Sequence, residues 1–229
     1  MVRVSIIIPA YNEGKRIEST LKSLLKTFEK NAEILVVSNG SKDDTIKILE
    51  EWRKNESSID YLNFPKKLGK GGAIIEGLKV VKGEYIGFVD ADDAFDLEYI
   101  KRSFHKFSNF DCLIASKWKG KNLLQVNEPF MRKIMSRGWN VLVRVFLGLP
   151  YRDTQAGAKF FKKEVRDKMD FNFISNGFAF DVELLTKIKK NNFRIEEVYI
   201  PSRFVEGSTF NLKYCPGMFK DLIRIWWSR

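Results

Sequence analysis

The sequence is poor in the residues that hold structural metals and disulfides, since its 229 residues include two cysteines and one histidine. Cys112 and Cys215 do not form a C-x-x-C pair, so neither a zinc site nor a disulfide framework is indicated. His105 lies alone, and we assign it no role. Sparse cysteine and the lack of a cleavable signal pattern at the start favour the cytoplasmic side of a membrane.

Long apolar runs are also missing. None reaches the ~18–20 residues that a membrane-spanning helix needs, so we expect no crossing of a bilayer by this sequence. Acidic residues are outnumbered, and the formal net charge is +11. A basic balance fits an anionic membrane surface, phosphorylated ligands or merely solubility. Because zinc-finger spacing and RNP-type aromatic strands are absent, nucleic acid is not an expected partner.

The first half of the chain alternates strands and helices. Apolar runs of strand length cover residues 2–8, 33–38, 59–64 and 85–90, with the first ended by Pro9. Helical patterns lie between them, the first running from Asn12 to Phe28. Strands that are apolar on both faces, each followed by one helix, predict an α/β fold with a parallel sheet covered on both sides.

The second half is less regular. Strand patterns cover residues 111–116, 156–161 and 193–201, and helical patterns cover 130–147 and 180–190. No repeat or linker divides the chain, so residues 1–212 are expected to form one domain. Residues 213–229 form an amphipathic helix with Trp226 and Trp227, typical of a bilayer interface. The alternative is that both tryptophans pack into the core of the domain.

Polar segments follow each of the first four strands. They read PAYNE, SNGSKDD, PKKLGKGG and DADD. In parallel sheets the ligand lies outside the carboxyl ends of the strands, so these segments are expected to meet there.

Two carboxylates at the fourth strand end are the candidate metal ligands. An extended Asp90-Ala91-Asp92 would direct both carboxylates to one side. Hard oxygen ligands suit Mg²⁺ or Mn²⁺ shared with substrate phosphates. The alternative is a polar turn that caps the next helix, with Asp96 as the N-cap.

The order and spacing of these motifs resemble a known family. The segments VSIIIPAYNEGKRI, LVVSNGSKDDT, KLGKGGAIIEGL and GEYIGFVDADDA resemble the inverting family-2 glycosyltransferases of the GT-A fold. DTQAGAKFF and FAFDVELL are similar to segments of the polyprenyl-phosphate sugar synthases, among them the dolichyl-phosphate glucose and mannose synthases. The resemblance covers residues 4–212 and implies a GT-A (Rossmann-like) nucleotide-sugar-binding fold for residues 1–212.

The resemblance also implies site residues. The expected contacts to the nucleotide-sugar are Pro9, Tyr11, Asn12, Glu13, Val37, Ser38, Asn39, Lys70, Asp90, Ala91, Asp92 and Lys117. The expected catalytic residues are Asp90, Asp92, Asp153 and Arg203, and the metal ligands are Asp90 and Asp92. The expected acceptor residues are Arg132, Arg137, Gln155 and Asp181. For Arg132 and Arg137 the alternative is a solvated basic face.

The chain departs from the family pattern at two places. Ser38 and Asn39 stand where the family usually has an acidic pair that recognises the base. Ser208, Thr209 and Phe210 stand where the family usually has Ser-Lys-Leu.

The implied reaction is transfer of a hexose from a nucleotide-sugar to a polyprenyl (dolichyl) phosphate at a membrane surface, with inversion and with Mg²⁺ or Mn²⁺. A phosphomonoester is already largely ionised at pH 7, so no base need remove a proton. The GKGGA, DADDA and DTQAGAKFF segments favour UDP-glucose as donor. The alternatives are GDP-mannose, a saccharide hydroxyl as acceptor, a nucleotidyltransferase, and a non-enzymatic membrane-binding module.

Overall fold

The computed structural model describes residues 4–205 and 212–228. The strands are β1 (Val4–Ala10), β2 (Ala32–Asn39), β3 (Ile59–Phe64), β4 (Tyr85–Val89), β5 (Cys112–Ser116), β6 (Ala158–Lys162) and β7 (Ile195–Tyr199). The helices are α1 (Ile17–Phe28), α2 (Thr45–Asn55), α3 (Lys70–Val80), α4 (Leu97–Ser103), α5 (Phe130–Leu147), α6 (Lys163–Asp167), α7 (Phe180–Lys190) and α8 (Cys215–Trp227).

The strands form one mixed sheet in the order β3-β2-β1-β4-β6-β5-β7. Strands β1 to β4 pair in parallel, and so do β5 and β7. Strand β6 runs antiparallel to both of its neighbours. The predicted α/β fold with a mostly parallel sheet is therefore confirmed. Because β6 is reversed, its beginning lies beside the end of β4, where Val89 is opposite Ala158.

The two faces of the sheet carry separate apolar cores. In β1 the buried Ile6 and Ile8 face the layer that contains α1, while Ile7 faces the layer that contains α3 and α7. Successive strand residues point to opposite faces, so a strand buried on both sides is apolar throughout. Burial of each Ile or Leu side chain stabilises the folded state by roughly 1.5–3 kcal/mol relative to leaving it exposed. The core thus holds the carboxyl edge of the sheet in place.

Several element boundaries differ from the prediction. Strand β1 continues through Pro9 to Ala10, because the pairing with β4 ends at Ile7 and the missing N–H of Pro9 interrupts no bond to that neighbour. Helix α1 begins at Ile17 rather than near Asn12, which has a positive φ of 55°. Helix α4 follows Asp96, whose Oδ1 accepts from the Tyr99 N–H at 3.1 Å. The N-cap interpretation is therefore confirmed for Asp96.

Helices α5 and α8 lie against each other and leave large apolar side chains exposed. Phe146 of α5 contacts Phe219 and Trp226 of α8, with ring centroids 6.3 and 5.9 Å apart. Trp226 is 44% exposed and Trp227 81% exposed, so the alternative that both pack into the core is wrong. Within the described ranges, no helix combines the length and apolarity needed to span a bilayer.

Candidate active site

The polar segments after β1, β2 and β3 are bound to one another at the carboxyl edge of the sheet. The Oδ1 of Asn12 accepts from the Lys42 N–H at 2.8 Å. The Oδ1 of Asn39 accepts from the backbone N–H of Leu68 and of Gly69. The Lys67 ammonium lies 3.7 Å from the centre of the Tyr11 ring. The structure thus brings these three segments together, as the sequence predicted.

The residues predicted to contact base and ribose differ in what they present. Pro9 and Tyr11 are half-buried, whereas Val37 and Ser38 are fully buried. The side chain of Val37 belongs to the core, so any contact from Val37 to a nucleotide would use its backbone. The Ser38 hydroxyl is buried without a hydrogen-bond partner among the described residues. The side-chain oxygen of Asn39 accepts two backbone N–H bonds and so holds the loop before α3.

Glu13 closes the first segment and pairs with Arg16, a residue that the sequence analysis missed. The Arg16 Nε and Nη2 donate to the two carboxylate oxygens of Glu13 at 2.8 and 2.9 Å. Burial raises the pKa of Glu13 against the lowering effect of Arg16, and repulsion from Asp92 and Asp90 adds to the rise. The spacing of three residues before a helix was the signal that could have shown this pair.

Asp90 and Asp92 line the same small cavity, but a turn rather than an extended strand brings them together. Strand β4 ends at Val89, and Ala91 and Asp92 form the turn. The buried Ala91 carbonyl accepts from the Thr20 hydroxyl at 2.8 Å. The expectation of an extended Asp-Ala-Asp is therefore wrong, because the chain must turn to start α4.

The electrostatics of this pair fit a divalent cation. Burial raises the pKa of Asp92, and repulsion by the Asp90 carboxylate raises it further. A cation bound between the two carboxylates would relieve that repulsion. Mg²⁺ is commonly held by one or two carboxylates together with substrate phosphates. Over residues 4–205 and 212–228, no group of three or more acidic, histidine or cysteine side chains is placed to hold a metal.

Lys70, the first residue of α3, lies directly against this pair. Its Nζ is 2.7 Å from the Asp90 Oδ1 and 3.8 Å from the Asp181 Oδ2. Burial alone would lower the pKa of Lys70, but the charges of Asp90 and Asp181 raise it well above its ordinary value. Lys70 therefore remains a cation beside the Asp90 carboxylate.

The segment that enters β6 supports Asp90 from the other side, through Gly157, which the sequence analysis missed. The Asp90 N–H donates to the Gly157 carbonyl at 2.9 Å. A Cβ added at Gly157 would lie 2.1 Å from the Asp90 Oδ2, so only glycine allows this approach. A buried lysine in the apolar strand AKFF was the signal that this strand carries a charged partner.

That lysine, Lys159, is fully buried and pairs with Asp181. Its Nζ donates to the Asp181 Oδ1 at 2.5 Å and to the Ala156 carbonyl at 2.8 Å. Asp181 is 2% exposed, and its predicted contact with the acceptor stays a prediction. Lys159 explains where the Asp181 carboxylate lies, because a fully buried lysine needs an ionic partner. Glu183, two residues further along α7, accepts hydrogen bonds from the Ile174 and Ser175 N–H groups instead.

Lys117, predicted to contact the nucleotide-sugar, and Arg132 and Arg137, predicted to bind the acceptor, each have a protein partner. The Lys117 Nζ lies 2.8 Å from Glu128, and the Arg132 Nε lies 3.5 Å from the same carboxylate. The Arg137 guanidinium lies over the Trp118 ring at 5.2 Å. These cations are gathered around Glu128 and Trp118, two residues that the sequence analysis missed.

Arg203 lies on the segment after β7, beside the DADD turn. It donates to the Asp93 carbonyl at 3.1 Å and pairs with the Asp93 carboxylate at 2.7 Å. Its side chain is 63% exposed, so it faces solvent. The departure at Ser208, Thr209 and Phe210 lies outside the described residues.

Asp153 and Gln155 lie in the segment before β6. Burial raises the pKa of Asp153 to about 6, although Lys117 and Lys159 oppose the rise. The Asp153 Oδ2 accepts from the Lys117 N–H at 3.2 Å. The Gln155 side-chain amide donates to the Phe178 carbonyl at 3.0 Å, which holds Gln155 against the segment before α7.

A carboxylate pair and a lysine lie where three polar loops meet, at the carboxyl edge of an α/β sheet. Ligands of such sheets bind at this edge. The model of the glycosyl transferase family 2 matches residues 5–169, and the chain belongs to this family. The chain is therefore a glycosyltransferase.

Two curated relatives match almost the whole chain. Dolichyl-phosphate beta-glucosyltransferase ALG5D of Trichomonas vaginalis is 30% identical over 238 residues, covering 98% of this chain and 73% of the relative. Glycosyltransferase AglD of Haloferax volcanii is 27% identical, covering 99% of this chain and 37% of the relative.

Among solved structures, glucosyl-3-phosphoglycerate synthase of Mycobacterium tuberculosis has a similar fold. Its complex with Mn²⁺, UDP and glucosyl-3-phosphoglycerate has a TM-score of 0.70 at 19% identity. The match covers 99% of this chain and 79% of that one. It supports the GT-A fold.

Proposed function

We propose that this glycosyltransferase moves glucose from UDP-glucose to dolichyl phosphate or a related polyprenyl phosphate, with inversion at the anomeric carbon and with bound Mg²⁺ or Mn²⁺. The observation that carries the proposal is the Asp90–Asp92 pair, set beside Lys70 at the edge where the polar loops meet. The 30% identity to a dolichyl-phosphate beta-glucosyltransferase across nearly the whole chain supports the choice of sugar and acceptor.

In this proposal the donor lies along the loops after β1 to β4. Tyr11, Glu13 and the Ser38 hydroxyl are assigned to the base and ribose. Asp90 and Asp92 hold the metal ion, which would neutralise charge on the leaving diphosphate. Lys70, already within 2.7 Å of Asp90, is assigned to the diphosphate. Fixed charges aimed at the leaving group stabilise the transition state without reorganisation.

The acceptor is assigned to the basic cluster of Lys117, Arg132, Arg137 and Arg203. A phosphate acceptor is already an anion, so the protein must reduce its repulsion from the donor diphosphate. A phosphate would compete with Glu128 and Asp93 for these cations. Asp153 is assigned to positioning Lys117 through its backbone N–H rather than to proton removal.

We also propose that the chain works at a membrane surface. The exposed apolar side chains of α5 and α8 form what we call the apolar face, made of Phe130, Ile134, Val141, Val145, Phe219, Trp226 and Trp227. The first four recur at spacings of four or seven residues along α5, so they share one side of that helix. Arg144, Lys220 and Arg224 are exposed on the same helices and suit anionic lipid headgroups. The cytoplasmic side of the membrane remains a prediction.

A donor and acceptor panel tests the function. The protein is incubated with labelled UDP-glucose or GDP-mannose, Mg²⁺ or Mn²⁺, and a polyprenyl phosphate in detergent or vesicles. We expect labelled lipid from UDP-glucose and loss of product with a chelator. Product from GDP-mannose alone would favour the mannose-transferring alternative. Failure to label any lipid phosphate would contradict the proposal, and pyrophosphate release from a nucleoside triphosphate would favour a nucleotidyltransferase.

A further inference from the structure

Four charged side chains of alternating sign run from the interior to the metal-binding edge. They are Lys159, Asp181, Lys70 and Asp90, joined by nitrogen–oxygen distances of 2.5, 3.8 and 2.7 Å. They come from β6, α7, α3 and the end of β4, so the series depends on how the whole sheet is assembled.

The inner pair is fixed. Lys159 is completely buried, donates to both Asp181 and the Ala156 carbonyl, and lies 5.4 Å from the centre of the Phe88 ring. The Asp181 Oδ1 is bound to Lys159, which leaves its Oδ2 toward Lys70. A buried ion pair with this many contacts has little freedom to rearrange.

The outer pair, Lys70 and Asp90, is more exposed than the inner pair. The Lys70 side chain is 16% exposed and ends a flexible four-carbon stem, and the Asp90 side chain is 36% exposed. The ammonium is within ion-pair distance of two carboxylates, close to Asp90 and slightly longer to Asp181. A small movement of Lys70 would therefore exchange one carboxylate for the other.

An ammonium and a divalent cation compete for the same carboxylate. Lys70 already neutralises Asp90, so a metal ion arriving alone meets a partly compensated ligand and a nearby positive charge. A diphosphate changes this balance, because its oxygens bind the metal and also offer Lys70 a new anionic partner.

Resting on the proposed function, we propose that Lys70 is the resident counter-cation of Asp90, with Asp181, anchored by Lys159, as its second partner. Metal and Lys70 then compete for Asp90, and the diphosphate of the donor relieves the competition. Metal and nucleotide therefore bind with positive cooperativity, and Lys159 and Asp181 act as positioning residues through Lys70.

Mn²⁺ binding, followed by the EPR signal of the free ion, tests this without sugar transfer. In the unaltered protein we expect UDP to tighten Mn²⁺ binding about tenfold or more. With Lys70→Met, Mn²⁺ alone should bind about tenfold more tightly, and the enhancement by UDP should shrink. Unchanged or weaker Mn²⁺ binding by Lys70→Met, and equally by the milder Lys70→Gln, would overturn the proposal.

A double-mutant cycle tests the role of Asp181. Asp181→Asn keeps the shape of the side chain, and we expect it to weaken Mn²⁺ binding several-fold because Lys70 then stays on Asp90. In the Lys70→Met background the same change should have no effect. Equal losses in both backgrounds would mean that Asp181 does not act through Lys70, and the positioning role would be wrong.

Lys162→Met is the matched control. Lys162 is the last residue of the same strand and pairs with Asp111 at 2.9 Å, at the end opposite the site. The Lys162→Met substitution removes one positive charge from β6, and we expect its Mn²⁺ affinity to stay within twofold of that of the unaltered protein. Thermal unfolding shows that each variant is folded. If sugar transfer fails in the panel above but the Mn²⁺ shifts appear, the proposed function is wrong and the competition between Lys70 and metal stands. If sugar transfer succeeds but the Mn²⁺ shifts are absent, the competition is wrong and the proposed function stands.

Discussion

The donor edge and the acceptor side of this molecule are built differently. At the donor edge, side chains such as Asn12 and Asn39 bind the backbone of neighbouring loops, and the carboxylates lie in a partly buried cluster. On the acceptor side, Arg132 and Arg203 are more exposed, and the adjoining helices present apolar side chains to solvent. Under the proposed function, a charged nucleotide and a lipid-linked phosphate meet surfaces of different polarity within one domain.

The largest expected effect would break the donor edge. Asp92→Ala removes a proposed metal ligand, and we expect kcat/KM for lipid product to fall about 10²–10³-fold, since electrostatic stabilisation of the leaving group is lost. The assay is labelled lipid formed from UDP-glucose. The matched control is Asp96→Asn, which keeps the N-cap of α4 and should retain activity within twofold. Activity of Asp92→Ala near that of the control would exclude the assigned role.

A smaller effect is expected at Gly157. Its segment connects the two regions, because Gly157 lies against Asp90 and Asp153 binds Lys117. In Gly157→Ala the new methyl group must displace the Asp90 carboxylate, and we expect kcat/KM to fall roughly 10–100-fold, as for a misplacement of about 1 Å. Gly217→Ala in α8, with no neighbouring atom within 4 Å of its added Cβ, is the control. If both alanine variants turn over substrate equally well, the contact between Gly157 and Asp90 does not position the carboxylate.

The smallest expected effect concerns the acceptor side alone. Val145→Glu and Trp227→Ala remove parts of the apolar face, and each should reduce partition into anionic vesicles about tenfold, roughly 1.4 kcal/mol. Binding of UDP, measured by calorimetry, should not change. Val80→Glu alters another exposed valine, at the end of α3, and serves as the control. If none of the three substitutions changes the partition into vesicles, the apolar face does not bind lipid.

Much of the fold was predictable because the strands are apolar on both faces. The bounds of β3, α5 and α7 agree with the predicted ranges. The direction of β6 was not predictable, since a five-residue strand pattern is the same read either way, and direction depends on pairing with strands far along the chain. The Lys159–Asp181 pair is equally long-range, and for that reason a local sequence pattern does not show it.

The candidate site was predictable in its position but less in its contacts. The motifs located Asp90 and Asp92 because strand ends in a parallel sheet share one edge. Their actual geometry depends on a turn at Ala91 and on the approach of Gly157, neither of which a local pattern reveals. Likewise Arg132 and Arg137 were expected at the acceptor or on a solvated basic face, and the structure adds Glu128 and Trp118 as their partners.

The reversal of β6 has a practical consequence for recombining this enzyme with its relatives. Within five residues the chain passes from Asp153, beside Lys117, to Gly157, against the carboxylate that follows β4. A crossover placed inside residues 153–157 would pair an aspartate from one parent with a glycine loop fitted to another. Chimaeras that exchange acceptor preference should therefore be joined upstream of residue 153, so that the whole segment leading into β6 is inherited from one parent.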